Sequence, residues 1–346
     1  MGCRGRKDAE CFKTGAMKVV IDGRPLIGNR TGIGVHTAEI ARRLPFETII
    51  ASHKEIDDKS GLEGSAFRVQ RSALGVSWQQ LKLPKVAGDV LWGPHGTLPL
   101  MTRIPAVVTL HDFTSITMPF RHRLKTILSF NLLIGASLEI ASRIACVSRV
   151  VANEAMRGFG VPASKIEIVP NGVDEFFSPD GDEDDYILYA GTLEPRKGID
   201  DLLAVWSSLS PRPRLILCGD AGWRTRVPAD VEVTGYVPRE RLRELYRHAR
   251  AFVYPSRYEG FGIPPLEAMA CGAPVIATRV GAIPDYAEGA ALLIAPNDRD
   301  ALNAALTRVL HDDALRAELR ARGPERARLF GWDRGARTMA ELLRCA

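Results

Sequence analysis

The sequence predicts an α/β protein built from two doubly wound domains. Three observations carry this: a length of 346 residues, short β-rich runs that alternate with helical periods, and a restart of that alternation after an acidic segment. A chain of this length accommodates about two domains at roughly 100–200 residues each. Hydrophobic residues make up 46% and charged residues 25%, the balance of an ordinary globular protein rather than a disordered or membrane-spanning one.

The elements follow in order. A strand is expected at Lys18–Ile21, with a helix over Val35–Leu44. The apolar run Val107–Leu110 predicts a second strand, followed by a helix over Arg123–Ser142. Ile144–Val147 and Ser148–Arg157 repeat the pattern. The acidic segment Ser178–Asp185 reads as a linker. Beyond it come strand-like Tyr186–Ala190, Arg214–Cys218, Val231–Thr234 and Ala251–Tyr254. The resulting division is a disordered tail over 1–16, an N-terminal domain over 17–177, a linker over 178–185, a C-terminal domain over 186–330 and a closing helical segment over 331–346. Open parallel sheets bind ligands beyond the carboxyl ends of their strands, so the functional residues are sought there.

Composition removes several function classes. The net charge of +5 comes without a Lys/Arg block interleaved with aromatics, so no nucleic-acid partner is expected. The six cysteines, at 3, 11, 146, 218, 271 and 345, form no CxxC and no zinc spacing, which fits a reducing, cytoplasmic compartment. Residues 1–16 lack the apolar stretch of a secretory signal. The apolar stretch Ile127–Val147 is broken by Asn131, Glu139 and Arg143, so no membrane-crossing helix is expected. The basic Arg121–Lys125 ahead of an apolar helix has two readings, a contact with anionic lipid at the inner face of a membrane or a packed helix with a solvated end.

Four motifs sit where strands end. Arg30–His36 (RTGIGVH) opens a helix, and Gly32 and Gly34 give backbone N–H groups close access to a phosphate. A dinucleotide fingerprint would need glycine at 37, which is Thr37, and no Gly-Lys pair exists for a Walker A loop. A tight strand–helix turn explains the same glycines. His111-Asp112 closes the run Val107–Leu110, as a polar pair at a ligand edge or as a loop closure. Ala190–Gly198 (AGTLEPRKG) places Arg196 and Lys197 on a loop suited to a diphosphate, although solvated loop cations are common. Pro255–Ala277 carries Glu259 on a glycine-rich loop and Glu267 near the start of a helix made by Leu266–Ala270. Carboxylates accept hydrogen bonds from sugar hydroxyls, and exposed N–H groups around Phe261–Ile263 can hold oxygens. A glutamate at a helix start is also a favourable dipole partner.

Glu259 and Glu267, with seven residues between them inside YEGFGIPPLEAMACGAPVIA, resemble the paired-glutamate motif of family-4 retaining glycosyltransferases of the GT-B fold. The resemblance extends from Met17 through TGIGVHT, His111-Asp112, residues 145–174, GTLEPRKG and VTGYVP. It implies a nucleotide diphosphate-sugar held mainly by the C-terminal domain and an acceptor, a glycan or lipid-linked sugar, held mainly by the N-terminal one. Glu267 would then bind the donor ribose. Glu259 with the backbone of Phe261, Gly262 and Ile263 would hold the donor sugar. Arg196 and Lys197 would neutralise the diphosphate, Gly32 and Gly34 would approach it, and His111 would sit by the sugar. The turn Thr234–Pro238, Val237 included, would frame the base. The last helix, after Trp332, would cross back to the N-terminal domain. Thr192 stands where many members carry Arg, a departure that resembles a subset associated with mannosyl transfer and polysaccharide assembly. GDP-mannose is therefore the favoured donor, with a UDP-sugar next. No cofactor and no metal are expected, because Asp182-Glu-Asp184 lies in the acidic segment and Asp298-Arg-Asp300 at a helix start. The alternatives are a sugar-nucleotide epimerase on the same fold and a non-catalytic nucleotide-sugar-binding protein.

Overall fold

In the computed structural model, which describes residues 17–117, 124–220 and 226–346, the apolar runs become parallel strands. The chain forms two units: the described residues up to Pro170 with Asp333–Ala346, and Asn171–Trp332. The chain changes unit at 170/171, ahead of the acidic segment taken as the linker. The tail 1–16 and residues Arg121–Arg123 of the basic segment lie outside the described residues, as do the side chains of Leu124 and Lys125.

The first unit holds β1 (Lys18–Asp22), β2 (Glu47–Ser52), β3 (Ala66–Val69), β4 (Val90–Gly93), β5 (Ala106–Leu110), β6 (Arg143–Cys146) and β7 (Ile166–Ile168). Their order is β3-β2-β1-β4-β5-β6-β7, and every paired neighbour runs parallel. Val19, Val20, Ile21, Val107 and Val108 are buried. A parallel sheet covered by helices on both faces needs such continuous apolar runs rather than alternation. The Trp92 indole, fully buried at the centre, donates to Thr109 Oγ1 at 2.9 Å. The helix Arg149–Phe159 starts where Ser148 Oγ accepts from the Val151 N–H at 3.2 Å, a side-chain cap that satisfies one of the free donors of the first turn.

The helix after β1 covers Gly32–Ala41, three residues earlier than its apolar period indicated, so both glycines lie within its first turn. A Cβ at Gly34 would stand 2.5 Å from the Pro25 carbonyl oxygen, so close packing by itself requires glycine there. At Gly32 a Cβ would meet nothing within 4 Å. The helix Leu124–Ile140 buries Ile134, Ser137 and Leu138, and Ser137 Oγ accepts from the Leu98 N–H at 2.9 Å. The closing helix Trp332–Arg344 belongs from Asp333 onward to this first unit. Arg43 Nε reaches Asp333 at 2.9 Å, and Arg143 Nε donates to the Cys345 carbonyl at 3.2 Å.

The second unit holds β8 (Tyr186–Ala190), β9 (Arg214–Cys218), β10 (Glu232–Gly235), β11 (Ala251–Tyr254), β12 (Val275–Thr278) and β13 (Leu292–Ile294). The order is β10-β9-β8-β11-β12-β13, again parallel throughout. β8 is buried along its whole length. The acidic segment is fastened to this unit: Glu183 pairs with Arg316 at 3.1 Å and Asp185 with Arg250 at 3.0 Å. Asp298 caps the helix Arg299–His311 by accepting from the Ala301 N–H at 2.9 Å. Among the described residues, no helix is long and apolar enough to cross a membrane.

Candidate functional site

The richest chemistry of the second unit gathers at the carboxyl ends of β8 and β11. After β8 the chain makes a short 3-10 turn, Pro195–Lys197, and then Gly198 with φ +68°. A Cβ at Gly198 would fall 2.1 Å from the Pro255 carbonyl oxygen. Glycine at 198 thus lets the two loops touch, and the Arg257 N–H donates to the Arg196 carbonyl at 2.8 Å to lace them together. That contact delivers Lys197 to the loop that carries Glu259.

Glu259 is buried, and its Oε1 accepts three hydrogen bonds: from Lys197 Nζ at 2.5 Å, Ser256 Oγ at 2.7 Å and the Tyr254 hydroxyl at 2.9 Å. Lys197 Nζ also donates to the Tyr254 hydroxyl at 2.7 Å. Arg196 Nη1 lies 3.7 Å from Glu259 Oε2, and its Nε is held by Glu194 at 2.8 Å. Burial works to raise the Glu259 pKa, but Lys197, Arg196 and the Lys197 and Ser256 hydrogen bonds outweigh it and hold the carboxyl below its ordinary value. The site therefore keeps an ionised carboxylate and at least one buried cation in register before any ligand arrives. A buried pair of this kind is tolerated because both partners are hydrogen-bonded.

Glu267 sits in the second turn of the helix Ile263–Ala270 rather than at its start, because the helix begins three residues earlier than its sequence suggested. A dipole-partner role is thereby weakened. The Tyr246 hydroxyl donates to Glu267 Oε2 at 3.2 Å, and the Tyr286 hydroxyl pKa is raised well above normal by burial and then by the charges of Glu259 and Glu267. Pro264 and Pro265 lack N–H groups at this helix start. Among the described residues no backbone carbonyl takes up the N–H of Phe261, Gly262 or Ile263. Those three donors stand at the end of the Glu259 loop, where a ligand oxygen can use them. Val237 is half-buried in the turn after β10, an edge strand, with Tyr236 exposed beside it.

Three expected residues, His111, Gly32 and Gly34, lie in the first unit. His111 follows β5, and its Nε2 donates at 2.9 Å to the Pro94 carbonyl, which can only accept. Its ring stands edge-on to His36, with centroids 4.8 Å apart. Burial lowers its pKa to about 4, so the imidazole is neutral at pH 7. Asp112 accepts from the Thr114 N–H at 3.0 Å and its hydroxyl at 2.5 Å. It closes the loop into the next helix, which is the plainer of the two readings of that pair. Sequence reasoning did not assign Tyr254, Ser256 or Tyr246. Tyr254 was detectable as the strand residue directly before the glycine-rich loop; Tyr246, 21 residues from Glu267, gave no local signal.

Residues 173–326 match the family model described as glycosyl transferases group 1, and residues 62–175 match that of glycosyltransferase family 4. O-antigen chain mannosyltransferase B of Escherichia coli is 32% identical over 92% of this chain and 97% of its own length. Sucrose-phosphate synthase from Thermosynechococcus elongatus superposes with a TM-score of 0.77 at 22% identity, covering 95% of this chain and 98% of that one. Anabaena HepE in complex with UDP-glucose gives 0.77 at 19% identity, covering 95% and 100%. At such identities the two solved structures speak to the fold, which is GT-B: two parallel-sheet α/β domains.

Proposed function

The chain belongs to the family-4, group 1 glycosyltransferases, and on that premise we propose that it transfers a hexosyl residue, with retention of configuration and without a metal, from GDP-mannose in preference to a UDP-sugar. The acceptor in this reading is a glycan or a lipid-linked sugar. The observation that carries it is the buried Lys197–Glu259 pair with Arg196 alongside, at the strand ends where α/β sheets take their ligands. Mannose is supported by the E. coli relative, a mannosyltransferase, and by Thr192 in the turn after β8.

The chemistry requires breaking an anomeric carbon–oxygen bond while negative charge grows on a departing diphosphate. Cations fixed beforehand stabilise that charge without reorganisation at the moment of reaction. Lys197 and Arg196 take this role, which requires Lys197 to exchange Glu259 for a diphosphate oxygen. Glu259, freed in part, accepts from hydroxyls of the donor sugar, and the N–H groups of Phe261, Gly262 and Ile263 orient it. Glu267, held by Tyr246, accepts from the ribose hydroxyls. Retention follows from attack on the face that the leaving group vacates, with Glu259 in a positioning rather than a nucleophilic role.

The test is a thermal-shift series with GDP, UDP, ADP and their sugar conjugates, each with and without EDTA. A ligand at about 100 times its Kd adds roughly 2.7 kcal/mol of stability. One nucleotide series should stand out, unchanged by EDTA, with GDP first. A shift abolished by EDTA and restored by Mg²⁺ or Mn²⁺ overturns metal independence. A glycosyl ester on Glu259, found by mass spectrometry of the wild type quenched during turnover and absent from Glu259→Gln, overturns same-face attack.

A further inference from the structure

Beyond the donor site, one cavity of the first unit remains unassigned. It lies past the carboxyl ends of β2 and β3, has a volume of about 470 Å³, and is lined by His53, Lys54, Glu55, Arg71, Ser72 and Ala73. Its two walls are continuations of adjacent strands. The Gln70 N–H donates to the Ser52 carbonyl at 2.9 Å and the Ser72 N–H to the His53 carbonyl at 3.4 Å, so the pairing of the strands runs on past their ends. Ser52 Oγ ties back the first wall by donating to the Lys54 carbonyl at 2.6 Å, and Lys82 Nζ ties back the second by donating to the Arg71 carbonyl at 2.6 Å. The backbone positions of Lys54 and Arg71 are therefore set while their charged ends stay free to reorient.

Charge is the informative feature. Of the cations of the same unit, Lys18, Arg24, Arg30, Arg42 and Arg43 each face a carboxylate, while others such as Arg68, Lys85 and Arg103 stand singly on the surface among the described residues, none of them lining this cavity. Lys54 and Arg71, among the described residues, face none, although Glu55 lines the same cavity. Arg24 is neutralised by Asp22, its Nε and Nη2 donating at 2.9 and 2.6 Å, and burial with the nearby Lys54 charge holds the His53 pKa below its ordinary value. His53 presses its ring against Trp78, with centroids 6.0 Å apart, and its Nδ1 is buried with no hydrogen-bond partner among the described residues. Two uncommitted cations beside an imidazole suit a compact oxyanion: an ammonium and a planar guanidinium fork together satisfy the oxygens of a phosphoryl group. A neutral sugar would leave both charges unused.

We propose that this cavity binds a phosphoryl group carried by the acceptor, so that the acceptor substrate is a phosphorylated compound; the assignment rests on the reading above that the first unit receives the acceptor. Lys54 and Arg71 are the specificity-determining cations, His53 donates a hydrogen bond, and Glu55 opposes binding.

The full chain is titrated with mannose 6-phosphate and with mannose, and is floated with phosphatidylcholine vesicles with and without phosphatidic acid. In the same samples, GDP and UDP binding is read separately. The wild type should bind at least one phosphate-bearing probe and not its neutral counterpart. The double variant Lys54→Ala/Arg71→Ala should lose about tenfold or more in that affinity while nucleotide binding is kept. Glu55→Gln should tighten phosphate binding several-fold, a gain that damaged folding cannot imitate. Binding of mannose 6-phosphate assigns the site to soluble phosphates, and binding only to phosphatidic acid vesicles assigns it to a lipid phosphate. Equal binding of phosphate-bearing and neutral probes, no binding of either phosphate, or no change in the double variant overturns the proposal. Loss of nucleotide binding in the wild type would instead defeat the donor reading and leave the phosphate result standing.

Discussion

The two ligand-side edges of this molecule handle charge in opposite ways. In the second unit, Lys197, Glu259, Tyr254 and Ser256 are buried and joined by hydrogen bonds of 2.5–2.9 Å. In the first unit, Lys54 and Arg71 line an open cavity without an ion-pair partner among the described residues. The buried cluster is assembled in advance, so in the proposed reaction its cations need not be ordered from loose side chains. The open edge defers that ordering until a ligand arrives, and so favours selection among ligands over speed.

The sharpest way to break this contrast is to unbalance the buried cluster. Glu259→Gln leaves the Lys197 ammonium buried without its counter-ion. Loss of one partner of a buried pair costs about 3–5 kcal/mol, to be read as a drop in unfolding free energy in urea. A change below about 1 kcal/mol would mean that water enters the cluster freely. Lys197→Ala removes the cation proposed to meet the diphosphate, and kcat should fall about 10²–10³-fold, equivalent to about 2.7–4 kcal/mol of barrier. A wild-type kcat in that variant removes Lys197 from the mechanism.

Much of this cluster was legible in the sequence, and the reason is local. Arg196, Lys197 and Glu259 each sit on a loop directly after an apolar strand, so strand ends alone predict their convergence. The parallel order of the strands was also readable, because continuous apolar runs such as Val107–Leu110 mark sheets covered on both faces. Helix starts were not readable to the residue. Gly32 and Pro264–Pro265 lie inside helices that the apolar period placed later, because glycines and prolines in a first turn read as loop residues even where, as at Ile263, that turn reaches the core. Gly34 invited a phosphate reading, yet the Pro25 carbonyl already accounts for it, a contact visible only once the chain has folded. The Tyr246–Glu267 bond was equally hidden, since the two residues meet across separate helices.

His111 tests the first unit by pH. Its folded pKa is about 4 against an ordinary value of 6.5, so the unfolded chain binds the extra proton between these values. Stability must therefore fall as pH drops from 6.5 towards 4, and be unaffected by this group above 6.5. The loss at pH 4.5 should be on the order of 2 kcal/mol. His111→Asn, which can still donate to the Pro94 carbonyl, should remove that slope when urea unfolding is compared at pH 7 and pH 4.5. An unchanged slope would place the acid sensitivity in the carboxylates instead. Glu259, for one, loses its contribution as pH falls through its depressed pKa.

The smallest expected effect separates packing from ligand approach at the first helix. Gly34→Ala drives a methyl to 2.5 Å from the Pro25 carbonyl oxygen and should destabilise by about 1–3 kcal/mol. Gly32→Ala meets nothing within 4 Å, in the first turn of a helix, and should raise stability by about 0.5–1 kcal/mol in thermal unfolding. If that stabilised variant binds the donor nucleotide as tightly as the wild type, the glycines of this turn serve the fold alone. A weakened donor affinity in a better-folded protein would have one remaining cause, a methyl held where a phosphate oxygen must come close to the backbone.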